Sequence, residues 1–172
     1  EKKKIVFLSS APSYKLIRLS ICLKKAGFET VLLMDANLTF KRFAERYFDM
    51  VYVFNSIYAL TYILENINPY LVHVKGDTPS TNHYGIIAKL FSKSKIVFSF
   101  NDIPSTAIVK EDIPLMWNKK DVQLDFLSEK YVCENCDGIT FSYSEKVKER
   151  LNKRHSIRSP MIEFHSYSCN EF

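Results

Sequence analysis

Six short runs of apolar, largely β-branched residues punctuate this chain, and each is followed by a stretch of helical periodicity. The runs are KIVFLS (Lys4–Ser9), ETVLLMD (Glu29–Asp35), MVYVF (Met50–Phe54), YLVHVK (residues 70–75), KIVFSF (Lys95–Phe100) and GITFSY (residues 138–143). Most are apolar throughout rather than alternating, as in parallel strands buried on both faces. The helix-period segments between them are residues 14–26, 38–47, 56–67, 81–91, 121–135 and 144–153. Strand and helix alternate along the whole chain. This predicts an α/β fold, a parallel sheet of six to seven strands with helices on both faces. RSPMIEF, residues 158–164, would be the seventh strand.

The joints carry matching signals. Gly27 follows the first helical segment, where a left-handed residue closes a helix. Asn68-Pro69 ends the third, because proline cannot continue it. At 172 residues, with 47% apolar and 25% charged, the chain has the size and composition of one globular domain, residues 1–172. No apolar run is long enough to span a bilayer. The start EKKKIVFLSS has only a four-residue apolar part, so it reads as a first strand rather than a signal peptide. The formal net charge of +5 permits contact with phosphates or anionic membranes without demanding it. No dense basic stripe or stacking motif points to nucleic acid.

Four cysteines, Cys22, Cys133, Cys136 and Cys169, are spaced too irregularly for a disulfide framework. Cys133-x-x-Cys136 has no second ligand pair to complete a zinc site. It lies near the end of a helix rather than at a helix start, so it reads as reduced cysteines in or near the core. No metal site is expected.

In open parallel sheets ligands sit beyond the carboxyl ends of the strands, at the point where the strand order reverses. The residues there are Ser9 to Ser13 after the first strand and Lys75, Gly76, Asp77 and Thr78 after the fourth. Asn101 and Asp102 follow the fifth, and Ser142, Ser144 and Glu145 the sixth. Together they would form a polar crevice rich in hydroxyls and carboxylates. The first loop, SSAPSY, lacks the glycines that let a backbone approach a diphosphate, so NAD, FAD or ATP binding through those motifs is disfavoured. Ser13 would either cap the first helix or touch a ligand. His73, inside the fourth strand, is either a crevice histidine or a core one. Asp77 and Asp102 are each either a base for a hydroxyl proton or a turn or N-cap aspartate.

The segment LTFKRFAERYFDM has another character. On a helix Phe40, Phe43 and Tyr47 would share a face bordered by Lys41, Arg42 and Arg46. Such a face suits an anionic membrane surface. The alternative is a helix that packs its aromatics on the sheet and leaves its basic face to solvent.

The stretch EKYVCENCDGITFSYSEKVKERL, with an acid opening a helix, an Asp-Gly-apolar strand and Ser-x-Ser-Glu before a second helix, resembles GT-B glycosyltransferases of the family-four type. It is similar to the end of their N-terminal, acceptor-side domain. KKAGFETVLLMD resembles that family's "L-x-x-x-G-H-E-V" opening, NPYLVHVKGD its "P-D-apolar-apolar-H-x-H" strand, and KIVFSFNDIPS its "V-x-T-x-H-D" strand end. The resemblance implies a Rossmann-like domain that binds the acceptor. Sugar would be transferred from a nucleotide-sugar donor to a glycan, lipid or small molecule, with retention and without a required metal. The donor would bind a C-terminal domain absent from this chain, so the chain alone would be inactive and hold no cofactor. Acceptor contacts would fall to Ser10, Pro12, His73, Lys75, Asp77, Asn101 and Glu145, and the catalytic role to Asp102. Asn101 stands where relatives often have a histidine, and asparagine cannot act as a base. The protein would be cytoplasmic, or peripheral on the inner face of a membrane through Lys41, Arg42 and Arg46. Two rivals remain: a GT-B-like sugar-nucleotide epimerase and a non-enzymatic α/β binding module.

Overall fold

A computed structural model describes residues 2–35, 38–75, 79–100, 119–141 and 145–163. Seven strands form one sheet: β1 (Lys4–Ser9), β2 (Glu29–Asp35), β3 (Met50–Phe54), β4 (Leu71–Lys75), β5 (Lys95–Phe100), β6 (Gly138–Phe141) and β7 (Met161–Glu163). Their order is β3-β2-β1-β4-β5-β6-β7, and every pairing is parallel. The short seventh run does pair, along β6. The crossovers carry α1 (Tyr14–Lys25), α2 (Lys41–Ala44), α3 (Ile57–Ile67), α4 (Pro79–Phe91), α5 (Lys119–Asn135) and α6 (Glu145–Arg154). Among the described residues no helix is long and apolar enough to cross a membrane.

Period-two exposure of the strands divides the core in two. Val6 and Leu8 of β1 face Leu60 and Leu64 of α3, Ala88 of α4, Val132 and Cys133 of α5, and Leu151 of α6. Ile5 and Phe7, on the other side, join Leu16 and Ile17 of α1, Ala44 and Phe48. Helices therefore cover both faces, as the continuous apolar runs predict. Local chemistry sets the helix ends. Ser13 and Ser56 cap α1 and α3 through hydroxyls that accept the N–H groups of Leu16 and Ala59. Gly27 has φ of 88° just past α1, and Asn68 closes α3 with φ of 46°.

The helix expected over residues 38–47 is not continuous. It is a 3-10 turn, Leu38–Phe40, followed by the single turn of α2. Ala44 and Phe48 reach the core here, while Phe40 and Phe43 stay exposed and Tyr47 is half-buried. The chain must descend quickly to the foot of β2. There Asp49 accepts the Thr30 N–H at 2.8 Å, and its own N–H donates to the Thr30 carbonyl at 2.9 Å.

The same device recurs in the other half of the sheet. Asp137, just before β6, accepts the Ile96 N–H at 2.8 Å and donates its own N–H to the Ile96 carbonyl at 2.8 Å. Each carboxylate also meets a lysine from a neighbouring helix, Lys24 at 3.4 Å and Lys89 at 3.0 Å. Burial alone would raise both carboxyls, but these N–H groups and then the lysines hold both below the ordinary aspartate value. The half-exposed ion pairs add little, so the backbone bond carries most of the effect. Asp137→Ala should lower the unfolding free energy by about 1–2 kcal/mol. Asp137→Asn, which keeps an acceptor, should lower it by less, as chemical denaturation would show.

Candidate functional site

The chain leaves β1 toward β2 on one side and returns through α3 to β4 on the other, so the strand order reverses between β1 and β4. The crevice this creates lies beyond Ser9 and Lys75. Ser9 is buried, and its hydroxyl donates to the Ala11 carbonyl at 2.8 Å, which spends it on shaping its own loop. Ser10 and Pro12, half-buried, come next on that loop. Ser13 takes the capping role, its hydroxyl oxygen 3.4 Å from the Leu16 nitrogen.

On β4, His73 sits beside Phe7 of β1, the two rings edge to face at 5.6 Å. The imidazole is buried, and its Nδ1 has no hydrogen-bond partner among the described residues. Burial pushes its pKa down to about 4, so the ring is neutral at physiological pH. Lys75 ends the strand half-buried. Ser10 and Pro12 therefore lie on the loop that leaves β1 for α1, and His73 and Lys75 on the adjacent strand β4. Glu145 opens α6 after β6, two strands along the sheet from β4. Asp77, Asn101 and Asp102 lie outside the described residues, as does the whole segment between β5 and α5.

Two groups near this edge were missed because the strand-end survey passed over β2. Asp35 ends that strand, and the Tyr84 hydroxyl of α4 lies 3.5 Å from its Oδ2. Burial, then the Asp35 charge, raises the Tyr84 phenol. Tyr84 also meets Phe54 edge to face at 4.9 Å, which fixes the ring. In the first turns of α4, Thr81 and Asn82 are buried, and Asn82 Oδ1 has no partner among the described residues. The position of Asp35 at a strand end was the available signal. The α4 residues carried none, because only the packing of α4 against β1 and β4 brings them to the crevice.

The residues of the motif around α5 and β6 prove structural where they are described. Glu129 Oε1 lies 2.7 Å from His155 Nε2, both side chains fully buried, which ties α5 to the end of α6. Asp137 is the clamp described above, at the opposite edge of the sheet from the crevice. Cys133 is buried and Cys136 half-buried, both as free thiols. Burial raises both, with the Glu129 carboxylate reinforcing the effect at Cys133. Neither is poised as a thiolate, so the C-x-x-C pair is a core feature. Among the described residues no cluster of His, Cys, Asp and Glu could hold a metal ion.

No protein-family model matches the chain, and no curated protein matches it in sequence. Solved structures do. HepE of Anabaena, in complex with UDP, superposes with a TM-score of 0.62 at 14% identity, over 96% of this chain and 44% of that one. The shared fold is a Rossmann-like α/β one. The spinosyn forosaminyltransferase SpnP matches with a TM-score of 0.56 at 12% identity, over 96% of this chain and 51% of that one. A UDP-glucose 4-epimerase from Brucella ovis, in complex with NAD, gives 0.54 at 12%, over 83% of this chain and 52% of that one. This chain thus spans about half the length of each. At these identities the likeness is one of fold alone.

Proposed function

We propose that this chain is the acceptor-binding, N-terminal half of a GT-B glycosyltransferase of the family-four type. The full protein would move a sugar, with retention, from a nucleotide-sugar donor to a glycan, lipid or small-molecule acceptor. One observation carries the reading. At the switch point of a Rossmann-like sheet, the first loop has no phosphate-cradling glycine, yet the strand ends there carry Ser10, Lys75 and the Asp35–Tyr84 pair, with the neutral His73 buried just beneath. Such a crevice suits a hydroxylated acceptor better than a diphosphate. The nucleotide sugar would bind in the remainder of the protein. HepE, bound to UDP, and the spinosyn forosaminyltransferase SpnP support the transferase reading.

Ser10, Pro12, His73, Lys75, Asp77, Asn101 and Glu145 would contact or border the acceptor, and Asp102 would orient or deprotonate its hydroxyl. In the full-length protein Asp102→Ala should lower transfer at least about a hundredfold while leaving donor binding unchanged. Mass spectrometry of acceptor products, with calorimetry of UDP binding, would show it. Near-normal turnover would remove Asp102 from the mechanism.

The epimerase likeness supports a second reading. Conversion of one UDP-sugar into another, with no new glycosidic bond, would favour it. The glycine-free first loop weighs against its NAD-dependent form.

A further inference from the structure

Core packing does not account for Leu38, Phe40 and Phe43 in the segment after β2. Leu38 is 68% exposed, Phe40 41% and Phe43 43%, while Ala44 and Phe48 of the same segment fill the core. The Phe43 and Tyr47 rings lean together at 5.3 Å. Arg42 and Arg46 project from the same turns, both exposed. The neighbouring helix α1, packed on the same face of the sheet, continues this character. Tyr14 is 64% exposed at its start, and the Arg18 guanidinium lies over that ring at 4.2 Å while donating to its hydroxyl at 2.9 Å. Acidic groups are scarce here. In α1 and residues 38–49 they are Glu45, 3.9 Å from Lys41, and Asp49, 3.4 Å from Lys24. Against these two acids, α1 and residues 38–49 together carry seven lysines and arginines.

We infer that this face, centred on Leu38, Phe40 and Phe43 and bordered by Arg18, Arg42 and Arg46, docks the protein on an anionic lipid bilayer. The apolar tips would enter the headgroup region while the guanidiniums meet lipid phosphates. Charge complementarity selects an anionic surface over a neutral one. Short projecting turns suit a fluid interface, which needs no matching holes. Leu38 lies three residues beyond Asp35, so the docked face would bring the crevice edge close to the membrane. The inference stands whether or not the transfer reaction is correct.

The test is co-sedimentation of the full-length protein with vesicles of equal parts phosphatidylglycerol and phosphatidylcholine, against vesicles of phosphatidylcholine alone. The wild type should pellet with the anionic vesicles, and high salt should release most of it. Arg42→Gln with Arg46→Gln should weaken partitioning about thirtyfold. Leu38→Ser with Phe43→Ser should weaken it at least about tenfold. Both side-chain pairs are exposed, so circular dichroism should show the wild-type fold. Equal binding to both vesicle types would overturn the inference, as would no binding to the anionic ones or binding that survives high salt. Folded variants that bind like the wild type would overturn it equally.

Discussion

Gly85→Ala should cost this domain roughly 3 kcal/mol and lower its melting temperature by about 10 °C. Gly85 lies in the middle of α4, where glycine is unfavourable by about 1 kcal/mol relative to alanine. On propensity alone the substitution should stabilise. The structure reverses the sign. A Cβ at this position would sit 2.1 Å from Cζ and 2.7 Å from Cε1 of Phe98. The Phe98 ring is 1% exposed and stacked on Phe100 at 6.3 Å. The cavity beside it, lined by Ile86, Ile96, Val132 and Cys136 among others, is only about 10 Å³, too small for the ring to retreat into. Either α4 lifts off β5 or the ring leaves its rotamer, and each is a costly form of overpacking. Phe98→Leu in the Gly85→Ala background should recover part of the loss, giving a favourable coupling in a double-mutant cycle by thermal denaturation. Additive losses would show that the helix absorbs the methyl without touching Phe98.

Stability should fall by roughly 3 kcal/mol as the pH drops from about 6.5 to 4, and His73 should be the cause. In the unfolded chain His73 takes up its proton near 6.5, whereas burial holds the folded value near 4. Between those limits the unfolded state binds more protons than the native one, so acid favours unfolding. The window is distinct from that of Asp49 and Asp137. Their folded values lie below the ordinary 3.8, so their stabilisation is present above that value and lost as the pH falls beneath it. Urea unfolding of His73→Leu should therefore show a flatter profile between pH 6.5 and 4 than the wild type, while the steep loss below 4 remains. An unchanged slope in the upper window would place the proton uptake elsewhere.

The alternation of apolar runs with helical segments determined most of the architecture, because a parallel strand covered on both faces has no polar side to show. The runs at β1, β2, β3 and β5 coincide with the strands, and Ser13, Gly27 and Asn68 close their helices by local chemistry alone. Crevice positions were legible in part, since the residue after a parallel strand faces the ligand edge whatever the sequence around it. Tertiary structure alone decided the roles. It turned the motif residues Glu129 and Asp137 into a buried tie and a backbone clamp, because their partners His155 and Ile96 are far away in sequence. It broke the helix at residues 38–47, because Asp49 has to reach Thr30 and a single helical turn leaves room for that descent. It exposed Phe40 and Phe43 when Ala44 and Phe48 took the core positions. Periodicity reports which residues share a face, but the direction of that face is set by what the rest of the chain packs against it.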